Sequence, residues 1–399
     1  MSPTGITDTR LAPSEVLERT AQLIPRLKDR ISETENLRRL PQETIDDARE
    51  AGVLSLLLPA SLGGSAGSIH DFSDVVRTLA QGDPTAAWTL GFLIEHNWML
   101  ARWPGVTQDE VFATPGPVLM SAVANPPGVA VEDGAGYRVT GYWGYCSGVS
   151  HADWVQVVAT IEGRDRPSLF LLPRTDVDVQ DTWYMAGMKG SGSHDVKLVS
   201  QFVPAHRTVD IDLWHSRRNH GASLHPEVVY SYDARDLLVF VIPSLAVGAA
   251  EAMLDMYRAR LDRRRAAFSP ELAADTSAGQ SRYARAVAAL RGAKAVLSSA
   301  LDLTVQVNAA SLDDLTDETR ALIKLDCLTI CRLAWESIET GLHGSGSAVF
   351  KTSDITQHFA RDLQTVLSHL TVDEDGMQAK TGEILLGRSV DPDPARNFT

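Results

Sequence analysis

Cysteine, positive charge and long apolar runs are what this chain has least of. Three cysteines in 399 residues are too few for a disulfide scaffold. Without a CxxC pair or a Cys/His cluster there is no zinc signature either. Cys327 and Cys331 lie four apart in a helical stretch and Cys146 stands alone, so reduced structural thiols and no metal are expected. Lys and Arg number 37 against 51 Asp and Glu, a formal charge of −14. That balance argues against nucleic acid or an anionic membrane as partner, since binding phosphates needs cationic surface. No run reads as the roughly 18 apolar residues a membrane helix needs, and MSPTGITDTR has neither the basic start nor the apolar stretch of a secretion signal. A soluble cytoplasmic protein is the expectation. HExxH, a nucleophile elbow and a paired-carboxylate motif are also missing, which puts hydrolases low.

What is present is enough apolar sequence, 44% of the chain, for two or three packed domains. Residues 12–113 read as helix. Pro41 suits a first turn, Gly52 a helix end, and Asp83–Pro84 an N-cap followed by a first helical position. GGSAGS at 63–68 is a loop. Between 116 and 212 the pattern turns to short β-branched and aromatic runs, PVLMSAV, GVAVED, YRVTGYW, DWVQVVATI, SLFLLP and HDVKLVSQFVP, with DGAG at 133–136 as a hairpin turn. From 234 the helical period returns in four long segments, a bundle. The expected domains are 1–115 helical, 116–233 a small β-barrel or sandwich, and 234–399 a helical bundle.

Six stretches carry polar groups where a plain structural role is also open. In GYWGYCSGVSHADW (141–154), Gly141, Gly144 and Gly148 allow close approach, Trp143 and Tyr145 offer flat faces, and Ser147 a hydroxyl for a ring nitrogen; a barrel corner is the simpler alternative. GSGS at 190–193, with Ser191 and Ser193, is either a β-turn or a cradle for a phosphate or ring edge. His96 shares a helix stripe with Phe92, Met99 and Trp103, away from the core seam of Leu90, Leu93, Ile94 and Trp98; it is either a satisfied core histidine or a group that meets a substrate hydroxyl. Arg263, Arg264 and Arg265 end a bundle helix, as a solvated terminus or as partners of a cofactor phosphate. HGSGSAVF at 343–350 reads as a cap and turn, with room for a ligand. In FARDLQTVLSHLTVD (359–373) an imidazole, His369, ends the polar stripe of an amphipathic helix.

Taken in order, GxWxYxSGxxHAxW at 141–154, GSGSHDV at 190–196, FVPAHR at 202–207 and RDLQTVLSH at 361–369 resemble the flavin-dependent monooxygenases built on the acyl-CoA dehydrogenase fold. The resemblance runs from about residue 12 to 388. It implies an acyl-CoA dehydrogenase-like fold: N-terminal helical domain, central β-barrel and C-terminal four-helix bundle. It further implies the oxygenase component of a two-component system, taking reduced FAD or FMN from a separate reductase and, through a C4a-hydroperoxyflavin, hydroxylating a small phenol- or indole-type substrate with O₂. No reductase segment is read here, so the flavin is expected to be diffusible. A homotetramer, a dimer of dimers, is the assembly such proteins adopt.

Carried over by position, Ser147 matches the serine whose hydroxyl approaches flavin N5, and His369 the histidine facing the C4a edge. His96 and Ser121 match the positions that address a substrate hydroxyl. Trp143, Tyr145, Gly148, the loop Gly190, Ser191, Gly192, Ser193, and Arg265 are implied flavin contacts. This chain reads GSGS where relatives often read GTGS. The alternatives are an N- or S-oxygenase on the same scaffold, or an acyl-CoA dehydrogenase. Many dehydrogenases place a glutamate about nine residues after the Arg of the matching segment; here His369 and Leu370 stand there, with Asp373, Glu374 and Asp375 a turn further on.

Overall fold

The computed structural model describes residues 10–266, 270–309 and 316–388. The first nine residues, most of the stretch read above for a secretion signal, lie outside it. Six helices come first: α1 (Pro13–Asp29), α2 (Ile31–Leu37), α3 (Gln42–Glu50), α4 (Ile69–Gly82), α5 (Pro84–Leu100) and α6 (Gly105–Val111). Ser68 starts α4 with a capping box, its hydroxyl receiving the Asp71 N–H while the Asp71 carboxylate receives the Ser68 N–H, which satisfies two N–H groups that a helix start leaves open. Asp83 caps α5 through the Thr85 N–H, with Pro84 in the first turn as expected.

Seven strands follow: β1 (Met120–Asp133), β2 (Gly136–Cys146), β3 (Trp154–Ile161), β4 (Pro167–Pro173), β5 (Asp178–Gln180), β6 (His194–Pro204) and β7 (Thr208–Asp210). They form one sheet in the order β5-β6-β2-β1-β3-β4-β7. β1 and β3 run parallel, and every other pair is antiparallel. PVLMSAV and GVAVED, expected as two strands, belong to a single β1 whose register against β3 shifts between Val123 and Gly128. A bulge of this kind re-aims a strand without ending it. The DGAG hairpin stands as expected, with Asp133 opposite Gly136. Val139, Trp143, Val155, Val157, Phe170 and Val196 fill a core of the sheet's own, separate from the larger helical core.

Short helices α7 (Ile211–His215), α8 (His220–Leu224) and α9 (Ala234–Leu237) lead into α10 (Val241–Leu261), α11 (Ser277–Ala309), α12 (Asp317–Ser345), α13 (Ile355–Val366) and α14 (Glu374–Leu385). α10 is the central member, packed on α11, α12 and α13 and also on α4 and α5. The expectation that no run is apolar enough to cross a membrane needs correcting here. Residues 234–261 contain an 18-residue window of mean hydropathy 2.1, and 78% of that window is buried. The helix is apolar because neighbours cover it on several sides, as at the centre of a large bundle.

Candidate functional site

α5 is covered almost completely: of its residues only Phe92 is not buried. Trp88, Phe92 and His96 follow at four-residue intervals and so share one face. Their rings form a row, with centroids 4.6 Å apart from Trp88 to Phe92 and 5.5 Å from Phe92 to His96. At the other end Trp88 stands edge-on to His369, centroids 5.4 Å apart. The Trp88 indole N–H donates to the Ser147 hydroxyl at 3.1 Å. Ser121, on β1, donates to the Ser147 carbonyl at 2.8 Å, and His96 reaches the carbonyl of the adjacent Met120 at 2.6 Å. His369, Ser147, His96 and Ser121, picked from distant parts of the sequence, thus surround one helix face. Trp88, which joins two of them, was not singled out from sequence. Its four-residue spacing to Phe92 and His96 was the available signal.

The two histidines are held in opposite tautomers. A backbone carbonyl only accepts, so Nδ1 of His96 carries the proton and Nε2 presents a lone pair. His369 Nδ1 receives the Thr371 backbone N–H at 3.3 Å and lies 2.9 Å from the Thr371 hydroxyl. An N–H only donates, so the proton of neutral His369 sits on Nε2. Burial lowers the pKa of His96 to about 4, against the raising effect of its Met120 hydrogen bond. Burial also lowers His369 below its usual 6.5. Both rings are therefore neutral near pH 7, one an acceptor and the other a donor.

Ser147 continues into the 187–193 loop. Its hydroxyl is 2.8 Å from that of Ser193, which is 2.7 Å from that of Ser191, and Ser191 donates to the Met188 carbonyl at 3.0 Å. The Met188 N–H in turn donates to Asp362 on α13 at 2.8 Å. A Cβ on Gly187 would stand 2.5 Å from the Arg361 carbonyl, so only glycine lets the loop press this closely on α13. Asp362 also accepts from Thr85 at 2.5 Å. His358 Nε2 stands 3.1 Å from Asp83 and 3.4 Å from Asp362, and its Nδ1 3.1 Å from Glu35. Glu35, His358 and Asp362 lie close enough to enclose an ion. Yet both ring nitrogens face carboxylate oxygens, the arrangement of an imidazolium, which has no lone pair for a metal.

Several expected contacts sit elsewhere. Trp143 is fully buried and its N–H donates to the Val158 carbonyl at 3.0 Å; added Cβ atoms on Gly128 and Gly141 would fall within 2.5 Å of its ring. Those glycines make room for the indole inside the sheet, so Trp143 is not available to a ligand. Gly190 is buried against α2, where a Cβ would meet Thr34 at 2.0 Å, and Ser191 is buried behind Ser193. Neither reaches the open side. Gly148 and Gly192 adopt positive φ, +73° and +55°, and Gly148 backs onto Thr89 and Ser121. Tyr145, also at positive φ, is 71% exposed and edge-on to Trp183, available as a flat wall. Arg265 is not in this cluster: it is exposed beyond α10, donating to the Pro270 carbonyl. The other members of the run, Arg263 and Arg264, line a cavity of about 850 Å³ with Arg260 and the 345–348 turn.

This chemistry fits a planar heterocycle: Ser147 offers a hydroxyl beside an aromatic row and His369 a neutral N–H.

Comparison with known proteins agrees. Residues 240–374 match the family model described as acyl-CoA dehydrogenase, C-terminal domain. The chain is 30% identical to a pigment production hydroxylase of Rhodococcus sp. (strain ATCC 21145) over 94% of its own length and 96% of the relative. It is 28% identical to the flavin-dependent monooxygenase oxygenase subunit HsaA of Mycobacterium tuberculosis, over 90% and 92%. Among solved structures it is similar to XiaF from Streptomyces sp. in complex with FADH2 and glycerol. There the TM-score is 0.88 at 26% identity, over 95% of this chain and 96% of that one.

Proposed function

The chain belongs to the flavin-dependent two-component monooxygenases built on the acyl-CoA dehydrogenase fold, and on that premise we propose that reduced flavin and an aromatic substrate meet along the row His369, Trp88, Phe92, His96. It is an oxygenase component, served by a separate flavin reductase and acting on a small phenol- or indole-type molecule. When bound, reduced FAD or FMN supplies the electrons that activate O₂, so that one oxygen atom enters the substrate and the other leaves as water.

The observation that carries this reading is the opposite tautomers of the two histidines. His369 Nε2–H donates a hydrogen bond to oxygen at the flavin end. With its pKa lowered it holds that oxygen without giving up a proton near neutral pH. His96 Nε2 accepts from the substrate hydroxyl or indole N–H at the other end. Its pKa of about 4 means that it shares the proton rather than taking it, which still enriches the ring in electrons. Ser121 spends its own proton on the Ser147 carbonyl and so fixes the Ser147 peptide beside the substrate end of the row. Ser147 would meet flavin N5 and Tyr145 would wall the ring. The near-complete burial of α5 keeps water from the reacting atoms, which such chemistry requires.

A dehydrogenase would need a carboxylate base against the flavin. Asp373 instead caps α14 by accepting the Gly376 N–H, and position 369 holds a neutral ring. The protein is further taken to be a homotetramer, because Phe350, Leu370 and Leu386 are each at least 60% exposed and a subunit contact would cover such surface.

Rapid mixing of the protein and chemically reduced flavin with oxygenated buffer tests the assignment. The expected result is a long-lived absorbance distinct from both reduced and oxidised flavin, and hydroxylated product when a phenol or indole is present. Tightly bound oxidised flavin that bleaches on addition of an acyl-CoA would overturn it in favour of a dehydrogenase.

A further inference from the structure

Every polar side chain buried on α5 has a partner except one. Thr85 donates to Asp362 at 2.5 Å and Thr89 to the Thr85 carbonyl at 3.0 Å. His96 holds the Met120 carbonyl, and Asn97 donates to the Leu93 carbonyl while accepting the Val118 N–H. The indoles of Trp88 and Trp98 donate to the Ser147 hydroxyl and the Val229 carbonyl. Glu95 is fully buried, and neither carboxyl oxygen has a hydrogen bond. Buried polar groups are matched so regularly that an exception on the helix carrying the aromatic row calls for a cause.

Its place on the helix supplies one. Counted at about 100° per residue, Glu95 falls roughly 20° from Trp88 and roughly 60° from Phe92 around the axis, whereas Leu90, Leu93 and Asn97 point away from the row. Phe92, the one residue of α5 that is not buried, precedes Glu95 by three positions and is its neighbour on the helix surface. Because nothing holds the Glu95 oxygens, turning the side chain towards a molecule bound along the row breaks no hydrogen bond and gains one.

The charge state decides what the group can take. Burial raises its pKa well above 4.5, and no charged side chain adds to or offsets that effect. Near neutral pH it is a carboxylic acid, with an O–H to donate and a carbonyl oxygen to accept. A cationic amine would require it to ionise away from water, and an anionic group would meet no counter-charge. A neutral oxygen raises neither difficulty.

We propose that Glu95 is a specificity residue, donating a hydrogen bond to a second, neutral hydroxyl or carbonyl oxygen on the aromatic substrate while His96 accepts from the hydroxyl that activates the ring. The preferred substrate is then a dihydric or carbonyl-bearing phenol rather than one with a single polar group. The inference rests on the reading that a phenol binds along the row.

Two pairs of phenols alike in size test it: resorcinol against 3-methylphenol, and 4-acetylphenol against 4-isopropylphenol. The pairs place the second oxygen at different distances from the first. Dissociation constants are measured anaerobically with reduced FAD present, so that nothing turns over. In at least one pair, Glu95→Leu should lower the preference for the oxygen-bearing member by about tenfold, while Glu95→Gln, whose amide N–H still donates, should stay within about threefold of wild type. Infrared difference spectra give a second readout. The carboxylic C=O stretch that Glu95→Gln lacks should move to lower wavenumber when the preferred phenol binds wild type. A preference unchanged by Glu95→Leu in both pairs overturns the proposal, as does a stretch that stays in place with both resorcinol and 4-acetylphenol; the stretch decides the matter if the leucine variant fails to fold. A protein that neither binds nor hydroxylates any of the four overturns the phenol reading of the row, whereas binding without discrimination overturns only this inference.

Discussion

His358→Gln offers a stringent test of how the helical domain is fastened to the bundle. The ring is buried, its side chain 3% exposed, between Glu35 on α2, Asp83 at the start of α5 and Asp362 on its own helix. Arg361 pairs with Glu35, and Lys189 stands 3.8 Å from it. Burial alone would lower the His358 pKa, but the carboxylates, Asp362 foremost, outweigh it and raise the value from 6.5 to about 10. A pKa raised on folding contributes stability that is complete below the unfolded value of 6.5 and fades as pH climbs through the folded value. At 1.36 kcal/mol per unit, that contribution is roughly 4 kcal/mol near pH 7, about 1.5 near pH 9 and below about 0.5 near pH 10. The pH 7 figure agrees with the roughly 3–5 kcal/mol lost when one partner of a buried ion pair is removed. Glutamine keeps polar reach but not charge. Urea unfolding of wild type and variant across this pH range should therefore give curves about 4 kcal/mol apart near neutrality that converge near pH 10. A constant gap would mean the ring is not an imidazolium, and the reasoning would fail.

Three further outcomes follow from the site. His369→Asn should raise the ratio of hydrogen peroxide to hydroxylated product at least about tenfold while the dissociation constant of reduced flavin stays within about threefold; unchanged coupling would remove His369 from its place. His96→Ala should lower kcat/KM for a phenol by about a hundredfold and leave substrate-free oxidation of the flavin as it was, read by stopped-flow absorbance. Glu95 is fully buried with neither oxygen hydrogen-bonded, and burial raises its pKa well above 4.5. Its contribution is most favourable below pH 4.5 and declines as pH rises, so Glu95→Gln should be near neutral at about pH 4 and increasingly stabilising as pH rises towards neutrality, as measured by denaturant midpoints.

Local chemistry was legible in the sequence, because it is written in neighbouring residues. Asp83 and Pro84 start a helix and DGAG turns a hairpin through contacts spanning only a few positions. The single β1 was not, since joining PVLMSAV to GVAVED depends on β3 running alongside both. The residue types in GYWGYCSG pointed to a ligand bed, but the register shift between Trp143 and Cys146, with Tyr145 at positive φ, breaks the strand alternation and turns Tyr145 out while Trp143 stays inside the sheet. His369, Ser147, His96 and Ser121 were found by resemblance and do converge, whereas Trp88 looked like another core aromatic until its indole N–H was seen on Ser147. The His358 cluster joins residues more than 270 positions apart, and no periodicity encodes such a meeting.

The four-residue spacing of Trp88, Phe92 and His96 makes α5 a ruler. At 1.5 Å per residue, its backbone sets about 12 Å between the ring beside Ser147 and the histidine beside Met120. One inserted residue would swing the later marks around the helix by about 100°, so the interval cannot be lengthened gradually. Substrates of different size are accommodated most readily by trimming or enlarging the middle mark, Phe92, the only position on the ruler that is not buried.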